Sequence, residues 1–286
     1  MTDAELKGTS AIGLDFRRRI AWMDDTLYGF AYFGLNMVPY SNLKEFRSSS
    51  KYGNYAFERF SSLQYVDINI GESCNNMFYG CGSLREVKFQ AGAQPTRTNS
   101  MFYNCTSLEK LKLDVSKVTD AAAMLFGCYS LEDIDLSLDS HTGTLRAFLQ
   151  NSKCNTARIN LPQVTTLDGS FRTFYCKSVY LNIPKVRTAS YSLFYNSSYN
   201  TMLEDMYISG LAVSVGVVSA SNLKIDSVKY ICDHCQARED GASYTLTLHA
   251  DVKARFMAKC TEGHEEYDAE YAASLASANE KGLTIA

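Results

Sequence analysis

The sequence predicts an α/β chain: one elongated solenoid with a parallel β-sheet on one face, short turns or single helical turns on the other, and an α/β cap at the C-terminal end. Three observations carry this expectation. A phrase recurs, "NMFYGCGSLREVKF" at 76–89, "SMFYNCTSLEKLKL" at 100–113 and "AMLFGCYSLEDIDL" at 123–136. Each copy ends in apolar residues at alternate positions, the mark of a strand with one buried face. After residue 225 the phrase gives way to helical spacing interrupted by short alternating runs.

Composition sets the bounds. The 286 residues are 46% hydrophobic, which is enough for a large core without disulfide or metal support. A formal net charge of −3 gives no basic field for a phosphate backbone, so nucleic acid is not an expected partner. The apolar stretch "YGFAYFGLNMV" (28–38) is short and broken by Gly and Asn, so no membrane insertion is expected. "MTDAELKGTSAIG" lacks a basic run leading into an apolar one, so no secretory signal stands in this numbering. Nine cysteines, an odd number, argue against a full disulfide framework.

Residues 1–29 are expected to form an N-terminal cap. Its "LDFRRRIAWMDD" reads as a strand or a short helix, with Trp22 in the cap core. The solenoid, about eight copies, follows over 30–225. Leu84, Val87 and Phe89 align with Leu108, Leu111 and Leu113, then with Leu131, Ile134 and Leu136. Upstream stand Leu63, Val66 and Ile68, preceded by Leu43 and Phe46. Downstream stand Ile159 and Leu161, then Val179 and Leu181, then Leu203, Met206 and Ile208, with "SNLKIDSV" (221–228) as the last copy. One such strand cannot bury its face, whereas stacked copies share a continuous core. Cys81, Cys105 and Cys128 each fall three residues before the first leucine of a copy. They are expected to stack inside as small hydrophobes, beside Phe78, Phe102, Leu125 and Phe194.

The segment 226–286 reads as the cap. "DSVKYICDHCQA" is a helix with Asp226 or Ser227 as N-cap and Val228, Ile231, Cys232 and Cys235 along its apolar stripe. "SYTLTLHA" is a strand, "DVKARFMAKC" a helix beginning at Asp251, "DAEYAASLASANEKG" a helix stopped by Gly282, and "LTIA" a final strand.

A period of 20 to 27 residues with L-x-x-L-x-L in each copy is the leucine-rich-repeat signature. "MFYGC.SL..V.F" and "VSKVTDAAAMLFGCYSLEDIDLS" resemble the BspA-like leucine-rich repeats, which read roughly F-x-x-C-x-S-L-x-x-L-x-L. The resemblance covers about residues 30–225. It is specific in the three central copies and loose from 146 onward, where "AFLQNSKCNTARINL" carries extra residues and "SFRTFYCKSVYL" is one short. It implies a ligand-binding or adhesive solenoid without catalysis, on a bacterial cell surface, secreted, or associated with a virion. The final segment is similar to those of repeat proteins from gut Bacteroides and their phages. A structural subunit or spacer of such a surface or phage assembly is the alternative implication.

Chemistry-bearing constellations are few. Cys232-x-x-Cys235 with Cys260-x-x-x-His264 is a legitimate zinc set by residue type. The first pair lies on a helix stripe and a whole strand separates the pairs, so burial is the expected role and no metal or cofactor is expected. No H-E-x-x-H, G-x-S-x-G or phosphate loop occurs, and no enzyme is expected. The outward strand residues are the candidate binding set: Tyr65, Asp67, Glu86, Lys88, Lys110, Lys112, Asp133, Asp135, Arg158, Tyr180 and Tyr207. Their middle is polar with opposite charges adjacent, and tyrosines mark both flanks. A tyrosine offers a flat apolar face and a hydroxyl, suited to a protein or a glycan ligand.

Overall fold

The structure, a computed structural model, describes residues 13–15, 20–22, 44–190, 193–194, 201–217 and 219–286. The N-terminal part contains strands: β1 (Gly13–Asp15) pairs antiparallel with β2 (Ile20–Trp22), which runs parallel to β3 (Glu45–Tyr52). The Trp22 side chain lies outside the described set.

The main sheet grows by one parallel strand per copy. After β3 come β4 (Tyr65–Ile70), β5 (Glu86–Phe89) and β6 (Lys110–Leu111). Then β7 (Asp133–Ser137) pairs with β9 (Lys153–Asn160), β9 with β11 (Tyr175–Asn182), and β11 with β13 (Asp205–Ser209). Between the two sets, Glu132 N–H donates to Glu109 O at 2.9 Å. Alternation places Phe46, Val66, Val87 and Leu111 in one buried row, continued by Ile134, Ala157, Val179 and Met206. Each residue alone would leave its face wet, so the core exists only through stacking.

One copy sits two residues away from its expected alignment. Ala157 and Ile159, not Ile159 and Leu161, lie opposite Ile134 and Leu136. Leu161 is buried just past the strand and donates its N–H to Asn182 O at 2.9 Å, as Leu138 does to Asn160 O. The small Ala157 fills the anchor position that larger apolar residues hold in the other copies. On the outward side this sets Arg158 against Asp135 and Thr156 against Asp133.

The opposite wall is built from turns, and each turn carries two left-handed residues four apart. The pairs are Tyr55 and Arg59, Asn76 and Gly80, Ser100 and Asn104, Ala123 and Gly127, Ala147 and Asn151, and Gly169 and Thr173. Glycine and asparagine accept positive φ most readily, which explains the Gly or Asn directly before Cys81, Cys105 and Cys128. The reversals aim backbone groups at the next copy. Phe57 N–H reaches Met77 O at 2.8 Å, Phe78 N–H reaches Met101 O at 2.9 Å and Phe102 N–H reaches Met124 O at 2.9 Å. Phe57, Phe78 and Phe102 then stack at centroid distances of 5.3 and 5.4 Å.

Cys81, Cys105 and Cys128 line this wall from inside, all three buried. Cys81 Sγ donates to Phe57 O at 2.9 Å, Cys105 to Phe78 O at 3.1 Å and Cys128 to Phe102 O at 3.2 Å. Each of these carbonyls also closes a turn with the N–H three residues on. The thiol takes its remaining lone pair, as a buried acceptor requires.

A second, narrower ladder has no counterpart in the leucine pattern of the repeats. Bridges Ser73 to Arg97 and Arg97 to Asp120 precede β8 (Gly143–Arg146), β10 (Val164–Asp168) and β12 (Thr188–Ala189), all parallel. A bridge from Leu193 leads to β14 (Val215–Val217), which pairs with β15 (Tyr244–Leu248), which pairs with β16 (Leu283–Ile285).

Three helices accompany this C-terminal part: α1 (Ile225–His234), α2 (Ala250–Cys260) and α3 (Ala269–Glu280). The caps of α2 and α3 are His249, whose side chain accepts from Asp251 N, and Asp268, which accepts from Glu270 N. Gly282 stops α3 with φ +87°. For α1 the N-cap is Lys224, with no side-chain cap bond, rather than Asp226 or Ser227. Ser227 is buried against the sheet, and its Oγ accepts from Met206 N at 3.0 Å. The copy expected at 221–228 therefore begins with Leu223 in the core and turns into a helix where its strand would lie. Cys235 is the C-cap of α1 rather than a residue of its stripe.

Candidate functional site

The outward face of the main sheet divides into three stretches. At the first, Arg47 of β3 sits over the Tyr65 ring, 5.1 Å from its centroid, and Asp67 pairs with Lys88 at 3.3 Å. In the middle, Glu86 lies opposite Lys110, with Lys112 exposed just past β6 and Asp133 and Asp135 exposed on β7. Such exposed charges contribute little to stability. Tyr65 is separated from Tyr180 by four strands and from Tyr207 by five.

The third stretch is where side chains converge. Arg158 on β9 lies over the Tyr180 ring at 4.9 Å. Tyr180 on β11 stacks on Tyr207 of β13 at 5.1 Å with a 17° tilt. Tyr207 meets Tyr230 of α1 edge to face at 5.1 Å, and Tyr230 stacks on His234 at 3.9 Å. His234 is held by Nδ1–H donating to Tyr230 O at 2.8 Å. Two residues further along each strand runs a polar row. Asn182 Nδ2 donates to Asn160 Oδ1 at 2.8 Å, and Asn160 Nδ2 donates to Ser137 Oγ at 2.7 Å. Between the rows is a groove of about 260 Å³ that includes Asp135, Arg158, Tyr207, Ser209 and Tyr230 in its lining.

Tyr230, His234, Asn182 and Ser209 were not read as site residues from sequence. Tyr230 and His234 sit one helical turn apart, and only the docking of α1 beside β13 brings them to the strand residues. Asn182 and Ser209 follow the apolar anchors Leu181 and Ile208, and their shared rung position was the available signal.

The zinc set is not assembled. Among the described residues no group of three or more His, Cys, Asp or Glu is placed to hold a metal ion. Cys232 is buried, Cys235 Sγ donates to Cys232 O at 3.2 Å, and His264 Nδ1 accepts from Glu266 N–H at 3.2 Å. Burial pushes the Cys232 thiol up to about 12, and it does the same to Cys81 and Cys128. Such thiols stay protonated and are poor nucleophiles or ligands.

A parallel-sheet solenoid with a leucine-rich copy on each rung and an open polar face defines a leucine-rich repeat protein. The BspA type leucine rich repeat region matches residues 30–100 and 74–202 in six copies, and the chain belongs to that family. Solenoids of this family are typically non-catalytic binding scaffolds. No curated protein and no solved structure matches the chain.

Proposed function

We propose that the chain is a non-enzymatic recognition module, adhesin-like, that binds a protein or surface-glycan ligand through the outward face of its main sheet. The row Arg158, Tyr180, Tyr207 and Tyr230 carries this reading. Its members fix one another by stacking on a rigid parallel sheet, so little side-chain ordering remains to oppose binding. Large amphipathic side chains held in place are what binding hot spots are made of. The test is labelled protein on arrays of glycans and of bacterial envelope proteins, beside a variant with Tyr65, Tyr180 and Tyr207 all changed to Ala. Selective binding that disappears in the variant, at unchanged thermal midpoint, is the expected result. Binding that survives the triple change would place recognition on another surface.

A further inference from the structure

The aromatic row limits what can occupy the groove. Tyr180 has Arg158 over one side of its ring and stacks with Tyr207, and Tyr207 in turn meets Tyr230. The ring faces are turned to protein neighbours, so a sugar has little flat platform to stack on. What remains available is ring edges and hydroxyls, and the three hydroxyls have no hydrogen-bond partner among the described residues.

The facing row offers amide chemistry. A side-chain amide carries the same pair of functions as a peptide unit, N–H donor and C=O acceptor. Asn182 uses one Nδ2–H on Asn160. Among the described residues no donor reaches its Oδ1, and the Ser209 hydroxyl beside it is also unused. The two rows stand two residues apart along each strand, about 6.6 Å. That strip has the width of one extended chain, not of a helix.

Arg158 adds a charge preference. It lies opposite Asp135 in register, yet no ion pair forms, because the guanidinium leans over Tyr180 instead. Its donors have no carboxylate among the described residues, while the Tyr180 ring beneath it fixes its position. A positioned guanidinium with free donors is suited to bidentate carboxylate binding.

We propose that the groove takes an extended polypeptide segment carrying an acidic side chain. The carboxylate sits on Arg158, main-chain amides meet Asn182 and Ser209, and apolar side chains lie along the edges of Tyr180, Tyr207 and Tyr230. This rests on the reading of the sheet face as a recognition surface and names its occupant.

The experiment uses the full chain on an array of short synthetic peptides, each made with Glu, Gln or Lys at one central position, with a glycan array in parallel. Binding that favours the Glu peptides, falls about tenfold or more for Arg158→Gln and for Asn182→Ala, and is unchanged for Lys117→Gln, an exposed cation outside the groove, is the expected result. Peptide binding indifferent to Glu or to Arg158→Gln overturns the proposal. Glycan binding without peptide binding, lost in Tyr207→Ala, also overturns it while leaving the sheet face as the recognition surface. Binding to neither array overturns the proposal and the recognition reading together. Arg158 is exposed, so its variant folds, and a matching thermal midpoint confirms that.

Discussion

The hydroxyl of Ser152 donates to the Leu125 carbonyl at 2.5 Å, the bond that Cys128 makes to the Phe102 carbonyl one copy earlier at 3.2 Å. Ser152 is thus the fourth member of the cysteine ladder. The position requires a small donor aimed at a buried carbonyl, and sulfur is one way of meeting that requirement.

A substitution pair at Cys105 separates the two roles. Cys105→Ser keeps the donor and is expected to cost within about 1 kcal/mol. Cys105→Ala removes the donor and opens a void, and is expected to cost about 2 kcal/mol. Urea unfolding of both variants checks this; equal losses would show that the thiol serves by volume alone.

Thiol chemistry follows from burial. Of the nine cysteines Cys260 alone is not fully buried. An aromatic disulfide reagent at neutral pH is expected to modify Cys260 first and the others only in denaturant. Desolvation raises Cys74, Cys81, Cys128 and Cys232 from an ordinary 9.0 to about 12. The unfolded chain therefore loses these protons near pH 9 while the folded chain keeps them. Stability from this source is complete below pH 9 and declines as pH climbs toward 12. A thermal midpoint constant across that interval would refute the linkage.

Two glycines with positive φ differ in surroundings. A Cβ on Gly210 (φ +78°) would meet backbone atoms of Pro184 at 2.6 and 2.8 Å, whereas a Cβ on Gly92 (φ +84°) meets nothing within 4 Å. Gly92→Ala is expected to cost about 1 kcal/mol of backbone strain. Gly210→Ala adds a clash that no side chain can relieve, and is expected to cost about 3 kcal/mol or more. Thermal unfolding of the two variants should rank them in that order.

Ser227→Ala strands the Met206 N–H beneath α1, since Ser227 Oγ is its acceptor. The expected loss is about 1–3 kcal/mol, with faster hydrogen exchange localised to β13. Uniform exchange across the sheet would show that α1 does not hold that edge.

The repeat period, the buried cysteines, the core phenylalanines and the later helices were legible because each rests on a local pattern. Leucine at alternate positions admits one strand geometry, and Asp268 before an alanine-rich run admits one helix start. The misalignment at β9 arose because Ala157 takes an anchor position with a side chain that carries no strong apolar signal. The left-handed pairs were half visible, in Gly80, Asn104 and Gly127, but Ser100 and Ala123 hold positive φ only because inter-copy hydrogen bonds fix it. The same holds for the binding surface. Tyr180 and Tyr207 follow from strand alternation, whereas Tyr230 joins them through the docking of a helix.

That helix also determines where the main sheet stops. A parallel sheet that adds a strand per copy has no intrinsic last member, and its open edge is a template for any other chain. With Lys224 N–H on Glu204 O and Ser227 Oγ on Met206 N–H, the chain occupies that template with groups that cannot themselves be copied onward. At Glu204 and Met206 the C-terminal edge of the main sheet is therefore covered by its own chain, and these two groups offer nothing for a further strand to pair with.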